Sequence, residues 1–354
     1  MDFFIPKKII DRFSRSIGID LGTANTLVYV RGKGVILSEP SVVAVNQKTG
    51  QVVAVGQEAK AMLGRTPSHI TAVRPLVEGV ISDFEVTEEM LVYLIQKAQE
   101  PNKPLLGPEV VVGVPSGITN VEIRAVRDAA KNAGARKVHI LEEPMAAAVG
   151  ARLPVHDPVG TMIIDIGGGN TDVALISLGG IVRSKNVRIA GDTLNQDISS
   201  YIRNEFKILV GEKTAEDVKL AVGAVLKQEE PLQTTIRGRD LVTGLPREIV
   251  VTDADVREAI AGSIASIIEA VKEVIESAPP EVVSDVMRSG IYMTGGGALL
   301  RGVPKLFAEE LKVPIHVVDD PLTTVARGTG MVLEDIEKYR AVLLSDDDHA
   351  LPLK

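Results

Sequence analysis

Apolar and polar residues near the start of the chain follow the pattern of a strand, a turn and a second strand. The first apolar run spans residues 16–20 and the second spans residues 26–30. Gly32 and Gly34 then lead into a third run at residues 35–37. Short apolar runs bounded by glycine and polar residues are typical of strands joined by hairpins. The pattern therefore predicts two strands around a turn, followed by a hairpin.

The same pattern returns in the middle of the chain. Residues 161–165 and 172–177 are apolar runs on either side of a second turn. The glycine pair at residues 179–180 then precedes a further run at residues 181–189. We expect the same succession of strand, turn, strand and hairpin here.

The two turns are close copies of each other. They read IDLGTANT from Ile19 and IDIGGGNT from Ile164, so the second follows the first by 145 residues. Self-similarity at matching positions indicates an internal duplication. We therefore expect each copy to head one domain.

Helical patterns fill the segments between these units. Residues 119–122 read as a capping box before a segment that ends at Gly134, and Thr87 with the two glutamates after it is expected to start another helix. A long amphipathic pattern covers residues 253–277. Residues 291–294 then read as a buried strand that runs into a third glycine turn. Strands and helices mixed in this way predict an α/β protein.

Composition narrows the class of protein. A chain of 354 residues with 45% hydrophobic and 24% charged residues is long enough for two globular domains. It has no cysteine, which excludes disulfides and thiolate metal sites, and its net charge of -8 argues against a general affinity for nucleic acid. No apolar run approaches the roughly 20 residues that span a bilayer, and the first residues lack the pattern of a signal peptide. The expected location is the cytoplasm.

The two matching turns have the chemistry of phosphate-binding loops. Glycine and other small residues after a strand let backbone N–H groups approach a phosphate closely. Asp20 and Asp165 would repel that phosphate unless a hydrated Mg²⁺ stood between the carboxylates and the polyphosphate. A single turn of this kind is more often an ordinary hairpin or strand end, whereas two copies at matching positions favour a nucleotide site.

Several longer motifs carry a resemblance to a known family. The chain resembles the actin, Hsp70 and sugar-kinase ATPase superfamily and, more narrowly, the MreB/Mbl bacterial actins. The motifs that carry this resemblance are DLGTANTLVYVRGKG, EPSVVA, LEEPMAAAVGA, GEKTAEDVK, MTGGGALLRG and DDPLTTVARGTG. The resemblance covers nearly the whole chain, and motifs of this length in this order are highly specific.

The resemblance implies an actin-like ATPase fold, with two duplicated α/β domains around a nucleotide cleft. Domain I is expected to hold residues 1–151 and 321–354, with a small subdomain at about 38–74. Domain II is expected to hold residues 152–320, with a small subdomain at about 192–251.

The resemblance also assigns roles to the residues that match the family's motifs. It implies ATP and Mg²⁺ as cofactors, with Asp20 and Asp165 holding the metal ion through its waters. Glu216 and Lys219 are expected beside the ribose and adenine, and their spacing places them on one face of a helix; spacing alone would equally describe a solvated face. The residues expected to wrap the phosphates are Gly22, Thr23, Ala24, Asn25, Gly167, Gly168, Gly169 and Asn170. Those expected beside the adenosine are Gly295, Gly296, Gly297 and Ala298, the last opening the next helix.

Two residues are candidates for catalysis. By resemblance Glu143, which directly precedes Pro144, positions or activates the water that attacks the γ-phosphate. Its neighbour Glu142 reads as a first-turn glutamate favoured by the helix dipole. Asn170 stands where these bacterial actins usually have a hydroxyl that helps to hold the attacking water. We therefore predict slow ATP hydrolysis coupled to polymer turnover, with a rate altered by Asn170.

The first 16 residues and one loop are candidates for membrane contact. From Pro6 onward the apolar residues can share one helical face, with basic residues on the others, and this suits an anionic membrane surface. The alternative is a helix docked on its own domain; bacterial actins of this family commonly bind the membrane through such a segment or an apolar loop. Leu105 and Leu106, in a predicted loop, form a second candidate insertion element.

The functional classes that remain are a filament-forming protein and a kinase. The resemblance implies a homopolymeric filament on the inner face of the plasma membrane. The filament would maintain rod cell shape by organising cell-wall synthesis. Its partners would be membrane proteins of cell-wall synthesis and of shape determination. A small-molecule kinase of the same superfamily is the alternative, but no separate motif for a substrate base is present. An Hsp70-like chaperone would need a substrate domain beyond the nucleotide core.

Overall fold

The structure is a computed structural model and describes residues 16–101 and 106–344. Strands β1 to β19 are, in chain order, Ser16–Leu21, Asn25–Val30, Gly34–Pro40, Val43–Asn46, Val52–Val55, Ile70–Val73, Leu76–Val77, Val80–Ile81, Glu109–Val114, Lys137–Glu142, Thr161–Ile166, Thr171–Ser177, Gly180–Val187, Ile208–Leu209, Gln233–Asp240, Pro246–Thr252, Ile291–Thr294, Ile315–Val317 and Leu343–Leu344. Helices α1 to α10 are Gln57–Met62, Phe84–Gln99, Asn120–Asn132, Glu143–Gly150, Gly191–Phe206, Glu212–Val222, Asp253–Glu276, Pro280–Ser289, Val303–Leu311 and Thr324–Glu334.

The first large sheet is built around the first copy of the repeated unit. Its strand order is β19-β10-β9-β1-β2-β3, with β1, β9 and β10 parallel to one another. Ile17 and Ile19 of β1 and Val110 and Val112 of β9 are inaccessible to solvent and lie in one hydrophobic core. Parallel strands covered on both faces are expected to be apolar without interruption, and β9 has this character.

The second large sheet repeats this order. It runs β13-β12-β11-β17-β18, which corresponds strand by strand to β3-β2-β1-β9-β10 of the first sheet. As in the first sheet, the central strand is parallel to the two strands that follow it in the order. The duplication predicted from the two turns is therefore confirmed in the topology of the sheets.

The chain divides into two compact units. The first holds residues 1–159, 176–182 and 323–354, and the second holds residues 160–175 and 183–322. Each unit also contains a small three-stranded sheet, β5-β4-β6 in the first and β14-β15-β16 in the second. The first small sheet follows directly on β3, at the end of the first repeated unit.

Two predicted helix starts are wrong, whereas those at Thr119 and Asp253 are confirmed. Helix α2 begins at Phe84 with Asp83 as its N-cap, because the Asp83 carboxylate accepts a hydrogen bond from the amide of Val86. Thr87, the predicted start, lies one turn inside the helix and donates its hydroxyl to the Asp83 carbonyl. Ala298 does not open a full helix either, since it lies in the 3-10 turn Gly296–Leu299. The capping box of Thr119 is present as predicted.

Within the described part of the chain, no helix has the length and the apolar character needed to cross a membrane.

Candidate functional site

The first predicted phosphate turn joins β1 to β2. Asp20 lies near the end of β1, and Gly22 follows at the start of the turn. A Cβ atom on Gly22 would lie 2.7 Å from the carbonyl oxygen of Asn25, which is closer than real side chains approach. Glycine is therefore required for the chain to turn this tightly.

A side chain in this turn is anchored to a neighbouring loop. The hydroxyl of Thr23 accepts a 2.9 Å hydrogen bond from the amide of Gly79, and Thr23 is 6% exposed. Gly79 lies between the short strands β7 and β8 with a φ of 84°, in the left-handed region. The Thr23 hydroxyl thus ties the turn to the β7–β8 hairpin.

The Asp20 carboxyl has an unusual electrostatic environment. Desolvation by the surrounding protein raises the pKa of Asp20 from 3.8 to about 7, although part of the residue remains exposed. A carboxylate that is costly to ionise in the protein alone is well suited to a nearby cation, which would restore the charged form. This observation fits the predicted Mg²⁺.

Glu143 lies in the same unit as Asp20, near the carboxyl ends of the parallel strands. Gly113 of β9 is paired with Asp20 of β1, and a Cβ on Gly113 would lie 3.7 Å from Cγ of Glu143. Glu143 is the first residue of α4 and is 8% exposed, whereas Glu142 precedes the helix and is half-buried. The first unit therefore brings Asp20, its turn and Glu143 to one edge of its sheet.

The second predicted phosphate turn joins β11 to β12 and has the geometry of the first. A Cβ on Gly167 would lie 3.1 Å from the carbonyl oxygen of Asn170, and at the equivalent positions of the first turn the distance from a Cβ on Gly22 to the carbonyl oxygen of Asn25 is 2.7 Å. The Gly167 amide also donates a 3.0 Å hydrogen bond to the same carbonyl. Gly168 and Gly169 complete the turn without side chains that would block a ligand.

Asn170 is fixed by a residue that sequence reasoning missed. Its side-chain amide donates a 2.7 Å hydrogen bond to the carboxylate of Asp172, and the two side chains are 7% and 1% exposed. Asp172 belongs to no motif used in the sequence analysis. The signal that could have found it is a charged residue within an apolar strand, since a buried carboxylate needs polar partners.

Lys219 lies beside the second turn. Its ammonium group donates a 2.8 Å hydrogen bond to the carbonyl of Gly191, whose own amide donates to the Gly167 carbonyl. Burial lowers the pKa of Lys219, and the nearby carboxylates of Glu216, Asp192 and Glu212 act in the opposite direction. Glu216 and Lys219 both lie on α6, as predicted.

The third glycine turn packs directly against the second phosphate turn. Gly295 has a φ of 80°, and a Cβ there would overlap the Asp165 carboxylate and the Ile166 carbonyl. A Cβ on Gly297 would overlap the side chain of Ile166. The 3-10 turn that holds Gly296, Gly297 and Ala298 is therefore held against the end of β11.

The structure thus assembles the predicted residues in two groups, one in each unit. In the second unit the Asp165 carboxylate lies beside Gly295 of the third glycine turn. Lys219 donates to the carbonyl of Gly191, whose amide donates to Gly167. In the first unit Glu143 and Asp20 flank Gly113. No group of three or more potential metal ligands occurs among residues 16–101 and 106–344.

The predicted membrane elements lie largely outside the described residues. Residues 1–15 and Leu105 are not described, and Ser16 is the first residue of β1. Leu106 is described and is 41% exposed.

Comparison with known proteins identifies close relatives. A family model described as MreB/Mbl protein matches residues 14–341. The chain is 49% identical to the cell shape-determining protein Mbl of Bacillus subtilis (strain 168) over 327 residues, which cover 92% of this chain and 98% of that protein.

Two solved structures share the fold. The crystal structure of MreB5 of Spiroplasma citri bound to ADP is 40% identical and superposes with a TM-score of 0.87, covering 92% of this chain and 98% of that one. The MamK double helical filament is 25% identical, with a TM-score of 0.78 and coverage of 91% and 99%.

Proposed function

The chain belongs to the MreB/Mbl family of bacterial actins and has the actin-like fold, and on this basis we propose that it binds ATP and assembles into filaments. The filaments form on the inner face of the plasma membrane and help to maintain rod cell shape by organising cell-wall synthesis. Its partners are other copies of the chain, the membrane surface, and membrane proteins of shape determination and wall synthesis. The cell-shape role of the Bacillus relative and the filament formed by MamK support this proposal.

One observation supports nucleotide binding most directly. The turns at Gly22 and Gly167 have the same close approach between a glycine and a carbonyl three residues later, in equivalent positions of two duplicated sheets. A pair of such turns gives backbone donors for two sets of phosphate oxygens. We therefore propose that both turns bind the phosphates of one nucleotide. The ADP bound to the Spiroplasma relative supports nucleotide binding.

Asp20 and Asp165 are the residues that would hold Mg²⁺, through its water ligands. The ion would neutralise charge on the phosphates, as in other phosphoryl-transfer proteins. Glu143 is proposed to orient the attacking water, because it is a buried carboxylate near Asp20 at the start of a helix. Hydrolysis with one orienting carboxylate is expected to be slow, and it would weaken the polymer.

Sedimentation tests this proposal. The full chain is centrifuged with Mg-ATP, with and without vesicles of anionic phospholipid, and the pellet is viewed by electron microscopy. We expect filaments that need nucleotide and that bind the vesicles.

A matched pair of variants controls the experiment. Gly22→Ala places a methyl group against the Asn25 carbonyl and should raise the ATP concentration needed for assembly by about tenfold, the cost of disturbing about one hydrogen bond. Gly262→Ala lies in α7 with open space around it and should assemble as the wild type does. A strictly monomeric protein that phosphorylates a sugar would contradict the proposal and identify a kinase.

A further inference from the structure

Ser41 makes two hydrogen bonds to the first phosphate turn. It lies between β3 and β4 and is inaccessible to solvent. Its hydroxyl donates to the carbonyl of Gly22 at 2.5 Å, and its amide donates to the carbonyl of Ala24 at 3.0 Å. Ser41 therefore holds the turn at two carbonyls, those of its first and third residues.

A second buried hydroxyl orients the side chain of Ser41. Thr26, at 0% exposure, has its hydroxyl 2.9 Å from that of Ser41. Because the Ser41 proton is used toward Gly22, the Thr26 hydroxyl can donate to the Ser41 oxygen. Buried hydroxyls without partners are costly, so the pair is stable only in an arrangement that satisfies both.

The second copy holds its turn at the equivalent place with different atoms. The residue equivalent to Gly22 is Gly167, and its carbonyl accepts a 3.2 Å hydrogen bond from the amide of Gly191. The next carbonyl, of Gly168, accepts from the amide of Asp192 at 2.8 Å. Gly191 follows β13 as Ser41 follows β3, so both turns are held by the segment that leaves the third strand.

The planarity of the peptide unit connects these contacts to phosphate binding. In a trans peptide the C=O and the following N–H point in opposite directions. Fixing the carbonyls of Gly22 and Ala24 toward Ser41 therefore directs the amides of Thr23 and Asn25 away from it. The same argument applies to the amides of Gly168 and Gly169 in the second turn.

We propose that Ser41 is a positioning residue, whose hydroxyl orients the first phosphate turn for the nucleotide as the Gly191 amide orients the second. This inference rests on the proposed nucleotide binding. It adds that the Gly22 carbonyl is held by a side-chain hydroxyl, whereas the equivalent carbonyl of Gly167 is held by a backbone amide. A substitution of Ser41, which lies outside the turn, can thus loosen the first turn while every residue of the turn stays the same.

The test compares Ser41→Ala and Ser41→Cys with the wild type by calorimetric titration of Mg-ATP and, separately, of adenosine. The full chain is used below the concentration at which it assembles. We expect the affinity for Mg-ATP to fall by about tenfold in Ser41→Ala, the size of one lost hydrogen bond. The affinity of Ser41→Cys for Mg-ATP should lie between that of Ser41→Ala and that of the wild type, since a thiol is a weak donor. The affinity for adenosine, which has no phosphate, should stay unchanged.

Thr87→Val is the matched control for stability. Thr87 is also inaccessible to solvent, and its hydroxyl donates to the Asp83 carbonyl at 2.7 Å, away from the turn. This variant should lose a similar amount of thermal stability as Ser41→Ala and keep the wild-type affinity for Mg-ATP.

Two results would overturn the inference. One is a wild-type affinity of Ser41→Ala and Ser41→Cys for Mg-ATP. The other is an equal loss of affinity for adenosine, which would indicate general structural damage. If Ser41→Ala does not fold, the more conservative Ser41→Cys decides alone. Failure of the wild type to bind Mg-ATP would instead contradict the proposed function.

Discussion

The side-chain amide of Asn170 donates a 2.7 Å hydrogen bond to the buried carboxylate of Asp172, two residues further along the chain. A hydrogen bond that is buried in this way is electrostatically stronger than one in water. The amide is therefore fixed toward β12 rather than free to follow a ligand. The side-chain amide nitrogen of Asn170 thus helps to hold the second turn. Any part of this side chain in hydrolysis would fall to its carbonyl oxygen.

This relationship leads to a prediction for Asn170→Thr. Threonine supplies the compact hydroxyl that the resemblance to bacterial actins leads us to expect at this position. We expect the rate of ATP hydrolysis to rise by about tenfold, as one better-placed hydrogen bond to the attacking water would give. A phosphate-release assay measures it. Asn132→Thr, at the surface end of α3, should leave the rate unchanged, and an unchanged rate in Asn170→Thr would exclude a role of Asn170 in hydrolysis.

Glu143 and Glu142 form a matched pair for testing catalysis. Glu143→Gln keeps the size of the side chain but removes the carboxylate that we propose orients the attacking water. We expect hydrolysis to fall by roughly a hundredfold, at the lower end for loss of a general base, with little change in ATP affinity. Glu142→Gln should keep most of the activity. Equal effects of the two variants in single-turnover assays would show that position 143 has no special role.

The raised pKa of Asp20 predicts a pH dependence of stability. Between pH 4 and pH 7 the native protein holds a proton on Asp20 that the unfolded chain releases, since the pKa is about 7 in the fold and 3.8 ordinarily. The free energy of unfolding should therefore fall as the pH rises through this window, and Asp20→Asn should remove this part of the dependence.

Thermal unfolding of the nucleotide-free protein measures this effect as a difference between two proteins. Asp20→Asn and the wild type should unfold at similar temperatures near pH 4. At pH 8 the unfolding temperature of Asp20→Asn should be higher than that of the wild type by roughly 5 °C. A difference that does not change with pH would show that Asp20 ionises normally in the fold.

The packing of α4 against α10 predicts a large cost for a small substitution. A Cβ on Gly328 would overlap the backbone carbonyl of Ala146. Gly328→Ala should therefore destabilise the protein by about 2 kcal/mol, as overpacking of a core does. Gly262→Ala has open space and lies inside a helix, so it should stabilise by about 0.5–1 kcal/mol. Denaturant unfolding measures both, and the same sign for the two would contradict the packing argument.

The repeated turns could be predicted from the sequence because their glycines are required by backbone geometry. A Cβ at Gly22 would lie 2.7 Å from the carbonyl three residues later, and a Cβ at Gly167 would lie 3.1 Å from its equivalent, so glycine is required at the first position and favoured at the second. Such positions leave a visible pattern, and two copies of the pattern predicted that the unit of strand, turn, strand and hairpin occurs twice.

The residues that support the turns could not be predicted in this way. The Ser41 hydroxyl donates to the Gly22 carbonyl, 19 residues away in the chain, and the Asp172 carboxylate accepts from Asn170, two residues before it. One serine or aspartate is compatible with many environments, so its residue type does not reveal its role. The start of α2 was misplaced for a related reason. Thr87 resembles an N-cap, but Asp83 makes the capping bond one turn earlier.

The number of nucleotides bound per chain tests the central claim, that the two turns serve one nucleotide. Calorimetric titration of Mg-ATP into the wild type, Gly22→Ala and Gly167→Ala, below the assembly concentration, measures this number. One site per chain, weakened by either substitution, is the predicted result. Two sites per chain, or a site that either variant leaves at full affinity, would contradict the account.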